Sequence, residues 1–557
     1  MKRKIFKILI LIITAGILFS LAPGSVLADH EGDKDTFYVS QNYDELNREK
    51  VDSTLIKTTS KLYFYIEDDW YHSLSEKEKE EINSNLEKAG EEFKENIYPE
   101  MTENYGEEWK SGIDDDLRIT VLFHKMDAES AGYFNSGDEY EKTQNPRSNE
   151  REMFYLNTEY AAKDNLPSYL AHEFTHLITF NQKTKERGIE EEVWLNEARA
   201  EYAPTLVGYD ENYEGSNLEN RVNTFISNPD NSLTKWEGVK EDYGVLNLFT
   251  QYLVDHYGVE ILEDSLKSAK SGIPSINSAL KENDYEIEFS EIFKDWTTAV
   301  FLNDCSVNEK YCYKNDNLKG IKISPSLIFL PLRENGSVET GYITSEWSGR
   351  WYKIIGDKGE LKIEFEGKEE KEFKVSFIKC DENESCEVEN ISLDENQNGT
   401  TTISGFGEEV SSFTFLPLLT EGEDVPFTIK ATIGEEADGE KIEELKAKIE
   451  ELKAKIEQIK KEIAQLKGES CNKIDSNLKV GMENNEVECL QAFLKNQGED
   501  IYPEGLVTGY FGNLTKDAVI RFQEKYKEEI LGPYNLEKGT GYVGKTTKSK
   551  INELIDS

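Results

Sequence analysis

Histidine is scarce in this chain, six among 557 residues, and cysteine is equally so. No two cysteines form a C-x-x-C pair, which argues against zinc binding by these thiols. Basic side chains are heavily outnumbered, 64 Lys and Arg against 110 Asp and Glu, for a formal charge of −46. A surface this acidic repels phosphate backbones, so no nucleic acid is expected as a partner, and it suits a solvated exported protein. Beyond Leu21 no apolar run is long enough to span a bilayer.

The beginning of the chain is different. Met1-Lys2-Arg3-Lys4 is basic, Ile5 to Leu21 is largely apolar, and Val26-Leu27-Ala28 offers small residues where a signal peptidase reads. Residues 1–28 are therefore expected to be a signal peptide; retained as an anchor, they would still leave the rest outside the cytoplasm. The cysteines fall into three close pairs, Cys305 with Cys312, Cys380 with Cys386 and Cys471 with Cys489. In an exported protein this spacing predicts three small disulfide loops.

Composition divides the remainder into four parts. Residues 29–315 mix strands (Lys61 to Ile66, Leu117 to His124, Met153 to Leu156) with a helix from Ser73 to Tyr98, capped by Ser75 and closed by Pro99, and then turn mostly helical, an α+β pattern. Residues 321–433 carry short β-rich runs punctuated by Gly, Asn and Asp, the pattern of an all-β sandwich. Residues 441–467 form heptads with Ile442, Ile449, Ile456 and Ile463 at a and Leu445, Leu452, Ile459 and Leu466 at d. That core favours a parallel coiled coil, hence a homodimer, whereas Lys446, Lys453 and Lys460 at e and Lys448 and Lys455 at g oppose it; a lone helical spacer would reach roughly 40 Å. Residues 471–557 form a last compact helical unit.

Against scarce histidine, Ala171-His172-Glu173-Phe174-Thr175-His176-Leu177 stands out. Positions i and i+4 share a helix face, so His172 and His176 can offer two imidazole nitrogens to one metal. A chance H-E-x-x-H in so histidine-poor a chain is expected on the order of once in a hundred such sequences. For a third ligand, no cysteine is near and no third histidine follows at short spacing. Glu190, Glu191 and Glu192 read as solvated loop acids, whereas Glu197 lies in a helical pattern after a loop long enough to fold back. Two imidazoles and a carboxylate suit Zn2+ with a coordination position left for water, and Glu173, next to a ligand, can take a proton from that water. Glu201, one turn beyond Glu197, can hold the far N–H of a ligand histidine.

This order, H-E-x-x-H followed by Asn196-Glu197 and Glu201, resembles the thermolysin-like gluzincins, and within them the hyicolysin-type secreted metallopeptidases over residues 37 to 305. The resemblance implies a zincin fold with Glu173 as general base and His172, His176 and Glu197 as zinc ligands. The family often has Asp where Glu201 stands here. Tyr243, opening a helix, resembles the tyrosine that follows the zinc ligands in related gluzincins and is the candidate oxyanion donor, with His256 a weaker one. His124 reads as structural. Ala131 to Asn135 reads as a turn or as a sheet edge that could pair with an extended peptide. Toward the end, Leu490-Gln491-Ala492-Phe493-Leu494, Ala518-Val519-Ile520-Arg521-Phe522-Gln523 and the Thr508-Gly509 and Thr540-Gly541 turns resemble the peptidoglycan-binding type 1 family, small three-helix modules of cell-wall enzymes, over residues 475 to 555.

The expectation is a multidomain, secreted, wall-associated zinc endopeptidase acting on protein or peptide substrates, with a zincin domain, a β-sandwich, a helical spacer and a peptidoglycan-binding module. Its rivals are a hydrolase of peptidoglycan cross-links and a non-enzymatic surface adhesin on a zincin fold.

Overall fold

In a computed structural model, residues 28–128, 130–330, 336–356, 358–434, 448–449, 451–456, 458 and 473–555 are described. The expected signal peptide thus lies almost wholly outside the described residues, as does most of the expected coiled coil; residues 451–456 are helical. The chain divides into two compact units, residues 1–439 and 440–557. Among the described residues no helix is long and apolar enough to cross a membrane.

The first unit opens on a six-stranded mixed sheet built from β1 (Lys34–Tyr38), β2 (Lys50–Thr58), β3 (Leu62–Glu67), β4 (Ile119–His124), β5 (Gly132–Phe134) and β6 (Met153–Asn157). Its order is β1-β2-β3-β4-β6-β5, with β3, β4 and β6 parallel and β5 antiparallel to β6 at one edge. The stretch around Gly132 is therefore the sheet edge. The first two strands are polar and escape notice, but β2 alternates, burying Val51, Ser53 and Leu55 on one face.

Helices α1 (Asp68–Ser73), α2 (Glu76–Glu92) and α3 (Tyr98–Tyr105) occupy the connection from β3 to β4. Ser75 caps α2 in a capping box with Glu78, as the sequence suggests. Pro99 does not end the helix. A π turn at Phe93–Ile97 resets the ladder, and Pro99 sits in the first turn of α3, where its missing N–H goes unneeded.

After β6 come α4 (Leu166–Thr179), α5 (Val193–Leu206), α6 (Asn217–Ser227), α7 (Lys240–Tyr257), α8 (Glu260–Lys267), α9 (Gly272–Glu282) and α10 (Phe289–Leu302). Leu166, Leu170, Phe174, Leu177 and Ile178 on α4 join one hydrophobic core with Trp194, Leu246, Phe249 and Trp296. This helix is buried along most of its length, which fixes what it presents to the sheet.

Nine further strands, β7 (Ser326–Phe329), β8 (Ser337–Thr344), β9 (Tyr352–Ile355), β10 (Gly359–Glu366), β11 (Phe373–Cys380), β12 (Cys386–Ile391), β13 (Asn398–Phe406), β14 (Ser412–Leu419) and β15 (Val425–Ile433), form two sheets of order β13-β10-β15-β8 and β12-β11-β14-β9-β7. Inward residues such as Leu361, Ile363, Phe377 and Phe415 make their shared core. The sandwich packs on the helices: Trp351 donates its indole N–H to the Thr297 carbonyl at 2.8 Å, and Trp347 meets Phe289 edge-on at 5.0 Å. Cys305–Cys312 and Cys380–Cys386 are disulfides, and Cys489 is disulfide-bonded too; its expected partner Cys471 lies outside the described residues.

In the second unit α11 (Asn485–Asn496), α12 (Asn513–Lys525), α13 (Lys527–Ile530) and α14 (Lys545–Ile555) close on Leu490, Phe493, Phe522 and Ile551.

Candidate metal centre

The two imidazoles of α4 face the start of α5. The Nε2 of His172 lies 3.5 Å from Glu197 Oε2, and the Nε2 of His176 lies 3.7 Å from Glu197 Oε1. One ligand atom from each residue falls within 4.8 Å of the others. A tetrahedral ion with bonds of about 2.1 Å needs ligand atoms roughly 3.4 Å apart, so these residues fit a zinc-sized cation. Among the described residues, buried Glu197 Oε2 and Glu173 Oε2 have no hydrogen-bond partner, which such a centre and its substrate would supply.

The outer nitrogens face oxygens, one through a hydrogen bond and one at ion-pair distance. His172 Nδ1 sits 3.5 Å from Glu201 Oε1, and His176 Nδ1 sits 3.1 Å from Asn196 Oδ1. An oxygen facing each Nδ1–H leaves both Nε2 lone pairs aimed inward. Glu201 is fully buried and accepts from Arg221 Nε at 2.7 Å, Arg221 Nη2 at 2.8 Å and Asn217 Nδ2 at 3.1 Å. The Arg221 guanidinium in turn lies 4.8 Å from the ring centre of Tyr243, which Trp236 meets edge-on.

Charge in the site is lopsided. Burial works against a charged His172, but Glu197, Glu173 and Glu201 around it raise it to about 9. Burial pushes the Glu173 carboxyl up to about 8, eased by His172 and reinforced by Glu197. Burial lowers His176, with the nearby carboxylates opposing it. Glu197 is the carboxylate held in its charged form between the two imidazoles, lowered by His176 and His172 against the effect of its burial. Burial first, then Glu197 and Glu201, raises the Tyr243 phenol, so it stays an O–H donor near neutral pH.

Glu173 meets the sheet edge. A Cβ on Gly132 would stand 2.6 Å from Glu173 Oε1 and 2.7 Å from the Tyr155 carbonyl, so only glycine lets β5 come this close. Phe134 on the same strand lies nearly parallel to His176, with ring centres 6.4 Å apart. Gly132→Ala is expected to displace the carboxylate, because the Tyr155 backbone cannot yield. Turnover should fall by about 100-fold with metal content unchanged, as a comparison of kcat and bound zinc would show.

Glu191 and His256 depart from the sequence expectation, and His124 keeps it. Glu191 is no solvated loop acid: it is buried between Arg199 at 2.8 Å and Lys183 at 3.4 Å, and it accepts from Gly272 N. Glu192 accepts the Trp194 indole N–H at 2.6 Å. His256 makes its close polar contact at the Cys312 carbonyl, 2.9 Å away, and packs on Tyr252. His124 is buried between Asp44 and Tyr133, a structural place. The sequence reading missed the roles of Asn196 and Arg221, and it missed Tyr43. That tyrosine stacks on Tyr133 at 4.6 Å and its phenol is raised by burial, then by Glu197 and Glu173. Only Asn196 had a signal, its place beside Glu197.

Over 241 residues the chain is 30% identical to the neutral metalloprotease ShpI of Staphylococcus hyicus. The match takes in 38% of this chain and 52% of ShpI, so the chain spans about half the length of that curated relative. Residues 483–528 match the family described as "Putative peptidoglycan binding domain". Among solved structures, the pre-peptidase C-terminal domain of a Bacillus anthracis collagenase aligns at 8% identity and TM-score 0.15, over 19% of this chain and 94% of that one. A family GH115 4-O-methyl-α-glucuronidase aligns at 8% identity and TM-score 0.12, over 57% and 51%. At such scores neither bears on the fold.

Proposed function

We propose that this protein is a secreted, wall-tethered zinc endopeptidase of the gluzincin type. The observation that carries the proposal is the convergence of His172, His176 and Glu197 on one point, with Glu173 beside them at an open sheet edge. These three residues would hold zinc, which when bound polarises the attacked carbonyl and acidifies water. An extended substrate would pair with β5 and lie across Glu173. Glu173 accepts the proton of the attacking water and returns it to the leaving amine. Tyr243 donates to the oxygen on which charge develops, and Glu201 and Asn196 keep both imidazoles in their ligand orientation. Tyr243→Phe should lower kcat by about 100-fold with little change in KM, read from peptide hydrolysis.

The peptidoglycan-binding family match favours a second reading, hydrolysis of wall cross-links. Purified protein incubated with casein and with purified sacculi separates the two. Chelator-sensitive cleavage of casein is expected; release of wall peptides with casein untouched would overturn the endopeptidase reading.

A further inference from the structure

The second unit contains the same device twice. Gln491 on α11 accepts from the backbone N–H groups of Thr508 and Gly509, 17 and 18 residues on, and donates to the Tyr510 carbonyl and Thr515 Oγ1, 19 and 24 residues on. Gln523 on α12 accepts from Thr540 and Gly541 and donates to the Tyr542 carbonyl and Thr547 Oγ1, at the same four separations. Each buried glutamine clamps a Thr-Gly-Tyr turn onto the first turn of the following helix.

The two copies part at one position. Eleven residues after Gln491 stands Tyr502, only 3% exposed, whose hydroxyl donates to the Leu506 carbonyl at 2.7 Å and lies 3.5 Å from Thr515 Oγ1. It fills its own groove. Eleven residues after Gln523 stands Tyr534, 56% exposed. The second copy has instead an open cavity of about 340 Å³, lined among others by Tyr534, Leu536, Tyr542, Lys545 and Thr547. Among the described residues no acidic side chain lines it, and Lys545 adds a positive charge. Most of this lining lies beyond the residues that match the peptidoglycan-binding family.

Resting on the wall-tether reading above, we infer that this cavity is the seat for one N-acetylated amino-sugar ring of peptidoglycan, the ring taking the place that Tyr502 fills in the first copy. Aromatic and aliphatic walls suit a sugar face, Thr547 offers the hydroxyl contact that Thr515 gives to Tyr502, and Lys545 suits the carboxylate borne by muramic acid or its peptide.

The test measures binding of the full chain to purified sacculi and to three soluble probes: a disaccharide-peptide released from them by muramidase, glycan freed of peptide, and free stem peptide. Wild type should bind sacculi, disaccharide-peptide and glycan. Tyr534→Ala and Lys545→Ala, both at exposed positions, should each weaken disaccharide-peptide binding by about 10-fold or more. Leu506→Ala, exposed in the first copy, should not. Sacculus binding unchanged in both pocket variants would overturn the pocket while leaving the tether. Binding of stem peptide without glycan would overturn the sugar seat. Failure of wild type to bind sacculi would overturn the tether reading and the pocket with it.

Discussion

Glu173→Gln should retain about one zinc per chain and lose peptide hydrolysis by about 10²- to 10⁴-fold. Gln keeps the size of the side chain and the fit against Gly132, while its amide cannot take a proton. The atoms placed to hold a metal belong to His172, His176 and Glu197, so the substitution removes none of them. The carboxyl is buried, with Oε2 lacking a hydrogen bond among the described residues, so the amide meets no partner whose loss would unfold the helix. Metal analysis beside an activity assay decides the matter. Activity near wild type would remove Glu173 from its role, and loss of zinc together with activity would show that it serves as a ligand.

Periodicity explains why this centre could be read from the chain and its surroundings could not. His172, Glu173 and His176 are close in sequence and a helix alone sets their geometry. Glu197 and Glu201 need only the assumption that a second helix folds back, and α5 packs beside α4. Arg221 reaches Glu201 from α6, and Tyr43 approaches from the segment between β1 and β2; in both cases the partner is set by packing, which no local pattern encodes. The same reasoning covers the fold. Apolar strands such as β4 are plain, whereas β1 is concealed by its lysine and aspartate, and β2 goes unread in a polar stretch although Val51, Ser53 and Leu55 alternate on its buried face. Pro99 misled because the π turn before it is a tertiary accommodation, not a propensity.

Glu201→Ala should have two separable effects. Its carboxylate faces His172 Nδ1 at 3.5 Å and also neutralises Arg221, so on the proposed orienting role its loss frees the imidazole, and it strands a guanidinium beside Tyr243. Loss of the orienting contact is expected to weaken zinc binding by about 10- to 100-fold. Stranding the cation is expected to cost about 3 kcal/mol, toward the low end for a broken buried pair because Arg221 keeps some solvent contact. Adding Arg221→Met to Glu201→Ala tells these apart: the double variant should regain most of the stability, since no unpaired charge is left, and none of the zinc affinity, since His172 Nδ1 still lacks its acceptor. Glu201→Asp, the residue common in the resembling family, should fall between, because a shorter arm cannot span from Arg221 to His172 without some shift. Competition with a chelator gives the affinity and denaturant unfolding the stability. If zinc affinity returned together with stability in the double variant, Glu201 would be a fold residue alone, and His172 would owe its orientation to its packing on α4.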